Sequence, residues 1–431
     1  GCKSRVVYPF LFDPKRLLHR VLTMRWIYSF GITLLRFAFF VGRFFNEKAK
    51  QRWFMRKDWK LKLPSMKVDV WMHCASLGEF DQGLPVLWAF KKQHPEAIIL
   101  VTFFSPSGLN HYHKRTHCVD YACLLPLDTR RNAKEFLSHL SPKIALFVKY
   151  EFWLNLVTQI HKNGVPVYSI STLLRQNHFV FSSLGGFFRS TLRLFHHFFV
   201  QNQETQNLLH SIGIHQTTLT GDTRYDHVLS SRISVQELEN SALLSPLVSL
   251  CKDQRVMVVG SSWLPEEEMI FNSLHLMPID RYILAPHDVS ESHLFEIEAI
   301  FGDECIRLSE LANYDNERVI LIDNIGVLNK IYALGTLAFV GGGFNGNLHN
   351  ILEPAVYDLP VLFGPTHHKF PEAQTFIEEG IGFSVSTSEE YNRTVTTIIE
   401  ERERFNNKSL SFVEKQAGAT LKITKVLVNK P

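Results

Sequence analysis

The chain has 431 residues, of which 45% are hydrophobic and 20% are charged. This composition is typical of globular proteins and excludes disordered and collagen-like chains, and the length exceeds one ordinary core, so we expect two domains. The six cysteines form neither a CxxC pair nor a zinc-type spacing, which disfavours a disulfide framework and a structural metal and favours a reducing compartment.

Basic and acidic residues are separated along the chain. Residues 1–67 contain 16 Lys and Arg against 3 Asp and Glu, whereas the remainder contains 30 basic and 39 acidic residues. A basic segment on an acidic body indicates an anionic surface as partner. On charge alone, nucleic acid and anionic lipid both qualify.

The segment 26–45 is the first predicted element, and fourteen of its twenty residues are apolar. Its length matches a membrane span, but Arg36 near its middle favours a helix that lies in the membrane interface. Basic residues follow at once, interleaved with Trp53, Phe54 and Trp59, a pattern that suits the headgroup layer on the cytoplasmic side. We therefore expect lipid rather than nucleic acid as partner. The alternative is an ordinary buried helix of a soluble fold.

Residues 1–23 differ in character from the rest of the chain. The first methionine is Met24, directly before the apolar run. We expect the natural start near Met24 and an upstream extension before it. The basic, membrane-associating segment is then 24–67.

From Val68 onward, short apolar runs alternate with helix-length stretches, which predicts βαβ units and a parallel sheet. The first domain is expected over 68–226. Its predicted strands are 68–73, 97–103, 120–125, 143–149, 166–171, 197–201 and 217–220.

The region 227–254 interrupts this rhythm and is rich in Ser and Leu, so it is expected to link two domains. A second domain follows over 255–385, and helices over 386–431 end the chain. The strands predicted in the second domain are 255–260, 281–285, 318–323, 336–341 and 360–363. Two Rossmann-like domains of this kind are expected to face each other across a cleft, with ligands outside the carboxyl ends of the strands.

Glu79 follows the first of these strands and opens a helix in the sequence His73-Cys74-Ala75-Ser76-Leu77-Gly78-Glu79. A helix N-terminus favours the ionised form of a carboxylate. We therefore expect Glu79 to be ready to accept a proton at neutral pH. The alternative is a carboxylate that only stabilises the helix.

A glycine-rich turn is the second candidate site. A strand ends in Gly341-Gly342-Gly343, and the chain continues to a helix expected to start near Asn350, with Glu353 one turn inside. Glycines allow a ligand to approach the backbone, and helix N–H groups bind phosphate. The pattern indicates a nucleotide site, although it matches neither GxGxxG nor a Walker loop.

Other polar groups lie at strand ends or close the first half of the chain. His287 follows a strand, Ile325-Gly326-Val327 lies where a strand meets a helix, and Glu151 and Arg224 lie in VKYEFWLN and LTGDTRYD. Together these residues suggest group transfer from a nucleotide-activated donor. No acidic pair of the DxD type indicates a divalent cation, so we expect neither a metal nor another cofactor.

With these motifs the sequence resembles the bacterial 3-deoxy-D-manno-octulosonic acid (Kdo) transferases of lipopolysaccharide synthesis. The resemblance is carried, in order from about residue 24 to about 385, by HCASLGEF, LLPLD, LFVKYEFWLNLV, LTGDTRYD, ILAPHD and DNIGVLNKIYALGTLAFVGGGFNGNLHNILEPAVYDLPVLFGP. It implies a glycosyltransferase with two Rossmann-like domains, of the GT-B type, preceded by a membrane-associating helix.

The resemblance also implies a reaction. Kdo would move from CMP-Kdo to a lipid A precursor, lipid IVA, with inversion, at the cytoplasmic face of the inner membrane. Glu79 matches the family's proton acceptor, and Glu151 and Arg224 match positions assigned to transition-state stabilisation. The CMP-binding positions are matched by Pro286, His287, Ile325, Gly326, Val327, Asn350, Ile351, Leu352 and Glu353.

The sequence departs from the family pattern at four of these positions. The family usually has Arg at 287, Met-Gly-Glu at 325–327 and Lys at 224. Two other functions remain open: a nucleotide-sugar 2-epimerase of the same architecture, which needs no lipid-facing segment, and a non-catalytic nucleotide-binding protein at the membrane.

Overall fold

A computed structural model describes residues 14–57, 59–182 and 185–428. The described residues form two compact units: the chain up to Thr223 together with the C-terminal segment from Gly418, and Arg224–Ala417. Each unit contains a parallel sheet with seven described strands. The predicted α/β class is therefore confirmed. Most of the expected upstream extension, residues 1–13, lies outside the described residues.

The first sheet places two loops at the position where α/β sheets bind ligands. Its strand order is 3-2-1-4-5-6-7, so the winding direction reverses between the first and fourth strands, and the ends of these two strands flank the switch point. The strands are β1 (Val70–Cys74), β2 (Ile99–Phe103), β3 (Tyr121–Leu124), β4 (Ile144–Val148), β5 (Val167–Thr172), β6 (His197–Val200) and β7 (Thr217–Leu219).

Both faces of this sheet are covered, which explains why its strands are continuous apolar runs. Along β1, Trp71 packs into one core cluster and Met72 into the other. The helices up to Thr223 are α1 (Pro14–Gly42), α2 (Glu47–Lys57), α3 (Trp59–Lys62), α4 (Leu77–Gln93), α5 (Pro106–His111), α6 (Arg130–Leu140), α7 (Leu154–Lys162), α8 (Gly186–Leu192) and α9 (Gln203–Ser211).

Three of these helices begin at capping residues that the sequence supplies. The side chains of Ser76, Thr129 and Asn202 accept hydrogen bonds from the third backbone N–H of α4, α6 and α9. Such caps satisfy donors that an α-helix leaves unpaired at its N-terminus. They fix where each helix starts relative to the strand before it.

Helix α1 has two apolar faces. Ile32 and Phe39 are buried against Leu127, with Tyr28 and Leu35 partly buried beside them. The other face is exposed and carries Trp26, Ile27, Phe30, Leu34 and Phe37. None of the helices in the described part of the chain combines the length and the hydropathy of a membrane span.

The second sheet repeats this design. Its strands are β8 (Val256–Ser262), β9 (Arg281–Pro286), β10 (Cys305–Arg307), β11 (Val319–Leu321), β12 (Leu337–Val340), β13 (Val361–Phe363) and β14 (Gly382–Ser384). Their order is β10-β11-β9-β8-β12-β13-β14, so the switch point lies between β8 and β12. All twelve predicted strands are present, whereas β10 and β14 were not predicted.

The expected linker differs from the structure. Residues 227–254 contain most of α10 (Thr223–Ser231) and all of α11 (Val235–Glu239) and α12 (Ser245–Cys251). Leu238 and Leu247 are fully buried in a core cluster with Val256 and Ile283 of the second sheet. The segment is therefore part of the second unit, because its leucines cover one face of that sheet.

The C-terminal helices are divided between the two units. The second unit also contains α13 (Leu264–Ser273), α14 (Glu291–Phe301), α15 (Leu328–Ile331), α16 (Leu352–Ala355), α17 (Pro371–Glu378), α18 (Ser388–Glu400) and α19 (Lys408–Gln416). Helix α20 (Ala419–Val428) instead packs on α4 of the first unit. Ile423 and Leu427 join the core beneath α4, so the expected block 386–431 is not a single element.

We expect Ile423→Ala to destabilise the first unit by about 2–5 kcal/mol, because it removes a fully buried side chain and leaves a cavity. Chemical denaturation followed by circular dichroism measures this loss. Leu421→Ala on the same helix is the control, since Leu421 is 58% exposed. Equal effects of the two substitutions would contradict the placement of α20.

Candidate active site

Glu79 lies in the first turn of α4, beyond the carboxyl end of β1. Its Oε2 accepts a hydrogen bond from the Ala75 N–H at 2.5 Å, and its own N–H is 3.4 Å from the Ser76 hydroxyl. The residue is 6% exposed. Among the described residues Oε1 accepts no hydrogen bond, so one carboxylate oxygen can take up a proton.

Burial decides the charge of this carboxyl group. Desolvation raises the pKa of Glu79 to about 7; the Ala75 N–H opposes the shift, Glu151 adds to it and Lys149 opposes it. The sequence led us to expect the helix N-terminus to favour the ionised form. The structure differs, because the loss of water around the carboxylate outweighs the helix dipole.

Glu151 follows β4, the other strand at the switch point, and is held by a buried network. Trp153 Nε1–H donates to Glu151 Oε2 at 2.8 Å and lies 3.1 Å from His73 Nε2. His73 is fully buried, and its Nδ1 lies 3.1 Å from the Thr102 carbonyl oxygen. With Nδ1–H donating to that carbonyl, Nε2 is left to accept from Trp153.

The structure thus brings Glu79 and Glu151 to the same edge of the first sheet. Sequence reasoning missed His73 and Trp153, although both stand inside the motifs HCASLGEF and LFVKYEFWLNLV. Both are residue types that fill cores, and only their shared contact with Glu151 reveals their role. They hold one carboxylate oxygen of Glu151 at a defined position.

Arg224 differs from its expected setting. It is the first residue of the second unit, and its Nη1 forms an ion pair with Glu372 Oε1 at 2.7 Å. The residue was expected to close the first half of the chain with its charge available to the substrate. In the structure Glu372 of α17 shares that charge.

The glycine-rich turn after β12 is held against its neighbours so closely that only glycine fits. A Cβ on Gly341 would lie 2.1 Å from the Ser261 carbonyl oxygen, and one on Gly343 would lie 2.4 Å from the Gly364 nitrogen. Gly342 has a φ of +84°, a region that L side chains rarely adopt. The glycines therefore place the backbone rather than leave it flexible.

A buried carboxylate, which sequence reasoning missed, fixes this turn. Glu266 in α13 accepts the Gly342 N–H at 2.9 Å on Oε1 and the Trp263 N–H at 3.1 Å on Oε2. Burial raises the pKa of Glu266 to about 7, partly offset by these backbone N–H groups. Both oxygens are occupied, so Glu266 is structural.

Three rings lie together after β8, β9 and β12; Trp263 and His287 are stacked, whereas His287 and His349 are tilted at 38°. The Trp263 and His287 centroids are 4.5 Å apart at 21°, and those of His287 and His349 are 4.7 Å apart. Burial and the neighbouring His287 lower the pKa of His349 to about 4. His287 was expected in the nucleotide site, and Pro286 before it is buried at the end of β9. Trp263 and His349 were not expected.

The remaining predicted nucleotide residues differ in what they expose. Asn350 binds the Leu352 N–H through Oδ1 and Glu353 through Nδ2. Helix α16 begins at Leu352 and has four residues, so it cannot provide the phosphate-binding helix start that we expected. Ile351 and Leu352 are buried, whereas Ile325 before Gly326 and Val327 is 67% exposed. Among the described residues, no cluster of His, Cys, Asp and Glu could hold a metal ion.

Comparison with known proteins gives a consistent result. The family model for 3-deoxy-D-manno-octulosonic-acid transferase (kdotransferase) matches residues 43–227. The chain is similar to the 3-deoxy-D-manno-octulosonic acid transferase of Aquifex aeolicus, with 27% identity over 79% of this chain and 88% of that protein. It is also similar to that of Chlamydophila psittaci, with 28% identity over 77% of this chain and 79% of that protein.

A solved structure shows the same fold. The UDP-GlcNAc 2-epimerase from Neisseria meningitidis bound to UDP-GlcNAc has a TM-score of 0.59 and 16% identity, covering 85% of this chain and all of that one. At this identity the likeness extends to the fold alone. It supports a GT-B-like fold with two parallel-sheet domains.

We expect the stability of the protein to fall, relative to a Glu79→Gln variant, as the pH rises from about 4.5 to 8. The pKa of Glu79 is raised in the folded state, so its stabilising contribution is present below 4.5 and is lost as the pH passes 7. A shift of this size corresponds to roughly 3 kcal/mol. Urea unfolding across this pH range measures the difference.

Glu135→Gln serves as the control, since ion pairs with Arg131 and Lys60 lower the pKa of Glu135. The unfolding free energy of wild type relative to Glu135→Gln should not fall in the same way as the pH rises. If the difference in unfolding free energy between wild type and Glu79→Gln were the same at pH 8 as at pH 4.5, the desolvation of the Glu79 carboxylate would be contradicted.

Proposed function

We propose that the chain is a 3-deoxy-D-manno-octulosonic acid (Kdo) transferase, a glycosyltransferase of lipopolysaccharide biosynthesis, and that it transfers Kdo from CMP-Kdo to the lipid A precursor lipid IVA. The observation that carries the proposal is Glu79: a desolvated carboxyl group with one open oxygen at the switch point of its sheet. The similarity to Kdo transferases suggests the reaction, and Glu79 would supply the base that the reaction requires.

In the proposed reaction Glu79 accepts the proton of an acceptor hydroxyl while that oxygen attacks the anomeric carbon of Kdo. A bond forms between this oxygen and the anomeric carbon, the bond from that carbon to the CMP phosphate breaks, and CMP leaves from the opposite face with inversion. A base with a pKa near 7 is stronger than an ordinary glutamate and is still ionised in half of the molecules at neutral pH.

The second unit is proposed to bind CMP-Kdo. The rigid turn at Gly341–Gly343, His287 in its ring stack and the exposed Ile325 all follow strands of the second sheet. Flat rings suit a nucleobase, and the exposed backbone at Ile325 and Gly326 suits a phosphate. Arg224 is proposed to contribute its positive charge to the leaving phosphate, which requires that Glu372 share or release it.

The first unit is proposed to lie on the cytoplasmic face of the inner membrane through α1 and α2. The exposed face of α1 presents large apolar side chains, of which Phe30 is 64% and Phe37 62% exposed. Arg43 lies over the Phe40 and Phe44 rings at 4.2 and 4.6 Å, a pairing that suits an arginine reaching for lipid phosphates. Basic residues near an anionic surface each add about 1 kcal/mol of attraction.

An in-plane position is favoured over a span. One face of α1 is covered by Leu127 of the first unit, and Arg36 is exposed midway along the helix. A helix that packs on protein along one face can bury only the other face in lipid. The acceptor keeps its acyl chains in the bilayer, so an enzyme lying on the surface meets its sugar end.

We expect Glu79→Gln to lower Kdo transfer by about 10²–10⁴-fold, because the amide keeps the hydrogen bond to Ala75 but cannot accept a proton. Purified protein is incubated with a CMP-Kdo-generating system and lipid IVA, and the product is weighed by mass spectrometry. The wild-type rate should rise with pH through about 7. CMP binding should change little, and the unfolding temperature should not fall, because the Glu79→Gln variant has no ionised carboxylate to desolvate at neutral pH.

Glu204→Gln is the matched control, since Glu204 occupies the first turn of α9 in the same unit and is exposed. It should transfer Kdo at the wild-type rate. Near-normal turnover by Glu79→Gln would exclude Glu79 as the base. Hydrolysis of CMP-Kdo by the wild-type protein without any transfer would exclude lipid IVA as the acceptor.

We expect the double substitution Phe30→Asp with Phe37→Asp to release the protein from vesicles that contain anionic phospholipid, since it places two charges on the lipid-facing side of α1. Flotation of the protein with such vesicles measures binding. The control is Phe271→Asp on α13, which is 45% exposed in the second unit. Unchanged flotation of the double variant would contradict the proposed surface.

A further inference from the structure

The N-terminal helix α1 makes a partly buried polar contact with the sheet edge that carries Glu151. Tyr28 donates its hydroxyl hydrogen to Asp128 Oδ2 at 2.6 Å, across 100 residues of sequence. Asp128 is 2% exposed and lies just beyond β3, in the motif LLPLD. A hydrogen bond between a helix of the proposed membrane surface and a buried carboxyl group is more than an anchor needs.

Asp128 connects Tyr28 to the start of α7. Its carboxylate accepts the Asn155 N–H at 2.9 Å on Oδ2 and the Leu156 N–H at 2.8 Å on Oδ1. The N-cap residue of α7 is Trp153, which supplies no side-chain cap. Asp128 therefore performs the capping role from another loop, and Tyr28 fixes the carboxylate that does so.

A second contact reaches the same place from α2. Arg56 is 6% exposed; its Nε–H donates to the Leu125 carbonyl oxygen at 3.1 Å, and its Nη2 donates to the Phe104 carbonyl oxygen. The guanidinium lies 4.6 Å from the Phe104 ring centroid, and that ring stacks on Trp153 with centroids 5.2 Å apart at 27°.

The first contact fixes the start of α7, whose N-cap residue is Trp153, and the second ends on the Trp153 ring, whose Nε1–H donates to Glu151. We propose that Tyr28 and Arg56 are positioning residues for Glu151: the two N-terminal helices hold Trp153, and through it the Glu151 carboxylate, in the geometry that the reaction uses. The inference rests on the proposed function, since it assigns Glu151 a place in that reaction. It adds that the N-terminal helices belong to the active site as well as to the membrane surface.

If the N-terminal helices position Glu151, a loss of activity on their removal does not by itself show that membrane binding is required. Removal of residues up to about 62 would take away the lipid-facing side of α1 together with Tyr28 and Arg56. Such a variant would lose turnover even with an acceptor dispersed in detergent, where no membrane has to be reached. Single substitutions on the inward side separate the two roles.

The test is Tyr28→Phe, which removes one hydroxyl group and keeps the ring. Turnover is measured with CMP-Kdo and detergent-dispersed lipid IVA, vesicle flotation is measured in parallel, and amide hydrogen exchange is followed in peptides that cover 152–160. We expect kcat to fall about tenfold while KM for both substrates and flotation stay unchanged, and the amides at the start of α7 to exchange faster.

The matched control is Tyr121→Phe, since Tyr121 is partly buried in the same unit and its hydroxyl makes no hydrogen bond within the described residues. It should match wild type in every measurement. Arg56→Lys, which keeps the charge but loses the fork of the guanidinium, should reproduce the Tyr28→Phe pattern. Should Tyr28→Phe fail to fold, Asp128→Asn, which keeps an acceptor oxygen, replaces it in the same measurements.

Wild-type kcat and wild-type exchange in the folded variant would overturn the inference, as would a loss of kcat matched by an equal loss of flotation. Failure of the proposed function is a separate outcome: the wild-type protein would then transfer no Kdo. The exchange measurement needs no turnover, so it still decides whether Tyr28 fixes the start of α7.

Discussion

The removal of water from Glu79 is the constraint on which the proposed chemistry depends. An exposed glutamate is a weak base at neutral pH, whereas burial at the end of β1 raises the pKa of Glu79 to about 7. A single backbone N–H, that of Ala75, keeps the ionised form accessible. The parallel sheet makes this possible, because its covered faces leave the strand ends as the place where polar groups can collect.

The same arrangement occurs in the second unit with a different result. Glu266 is also desolvated at a strand end, and its pKa is also raised to about 7. Its two oxygens, however, accept the N–H groups of Gly342 and Trp263. Glu79 keeps one oxygen open and can exchange a proton with a substrate, while Glu266 uses both to hold a turn. Glu79 accepts one backbone N–H and Glu266 accepts two, and this difference separates the carboxylate proposed as the base from the structural one.

The sequence predicted most of the fold, because strands buried on both faces are continuous apolar runs between helices. It did not predict β10 and β14, which are three-residue strands at or near the sheet edge and too short to show a pattern. The segment 227–254 was misplaced because its leucines cover a sheet formed by residues much further along the chain. Short-range patterns do not contain that information.

The positions of the candidate site residues could be predicted where a sequence motif marks them. Their protonation could not, because it depends on burial in the folded protein. Glu79 and Glu151 stand at strand ends, and the sequence places them there. The charge of Glu79 depends on how much water the fold removes, which only the structure shows. His73 and Trp153 have the character of core residues, and their function follows from distances that join separate motifs.

The two roles proposed for the N-terminal helices, lipid binding and the positioning of Glu151, do not conflict. A helix presents its residues on separate faces, so Trp26, Phe30 and Phe37 can point away from the unit while Tyr28, Ile32 and Phe39 pack on it. Lipid binding requires only apolar area and positive charge on the outer face, which tolerates many sequences. The inner face has to place a phenol 2.6 Å from a buried carboxylate. If the helices served only as an anchor, nothing would require that contact, because any apolar side chain at position 28 would pack against Leu127 equally well.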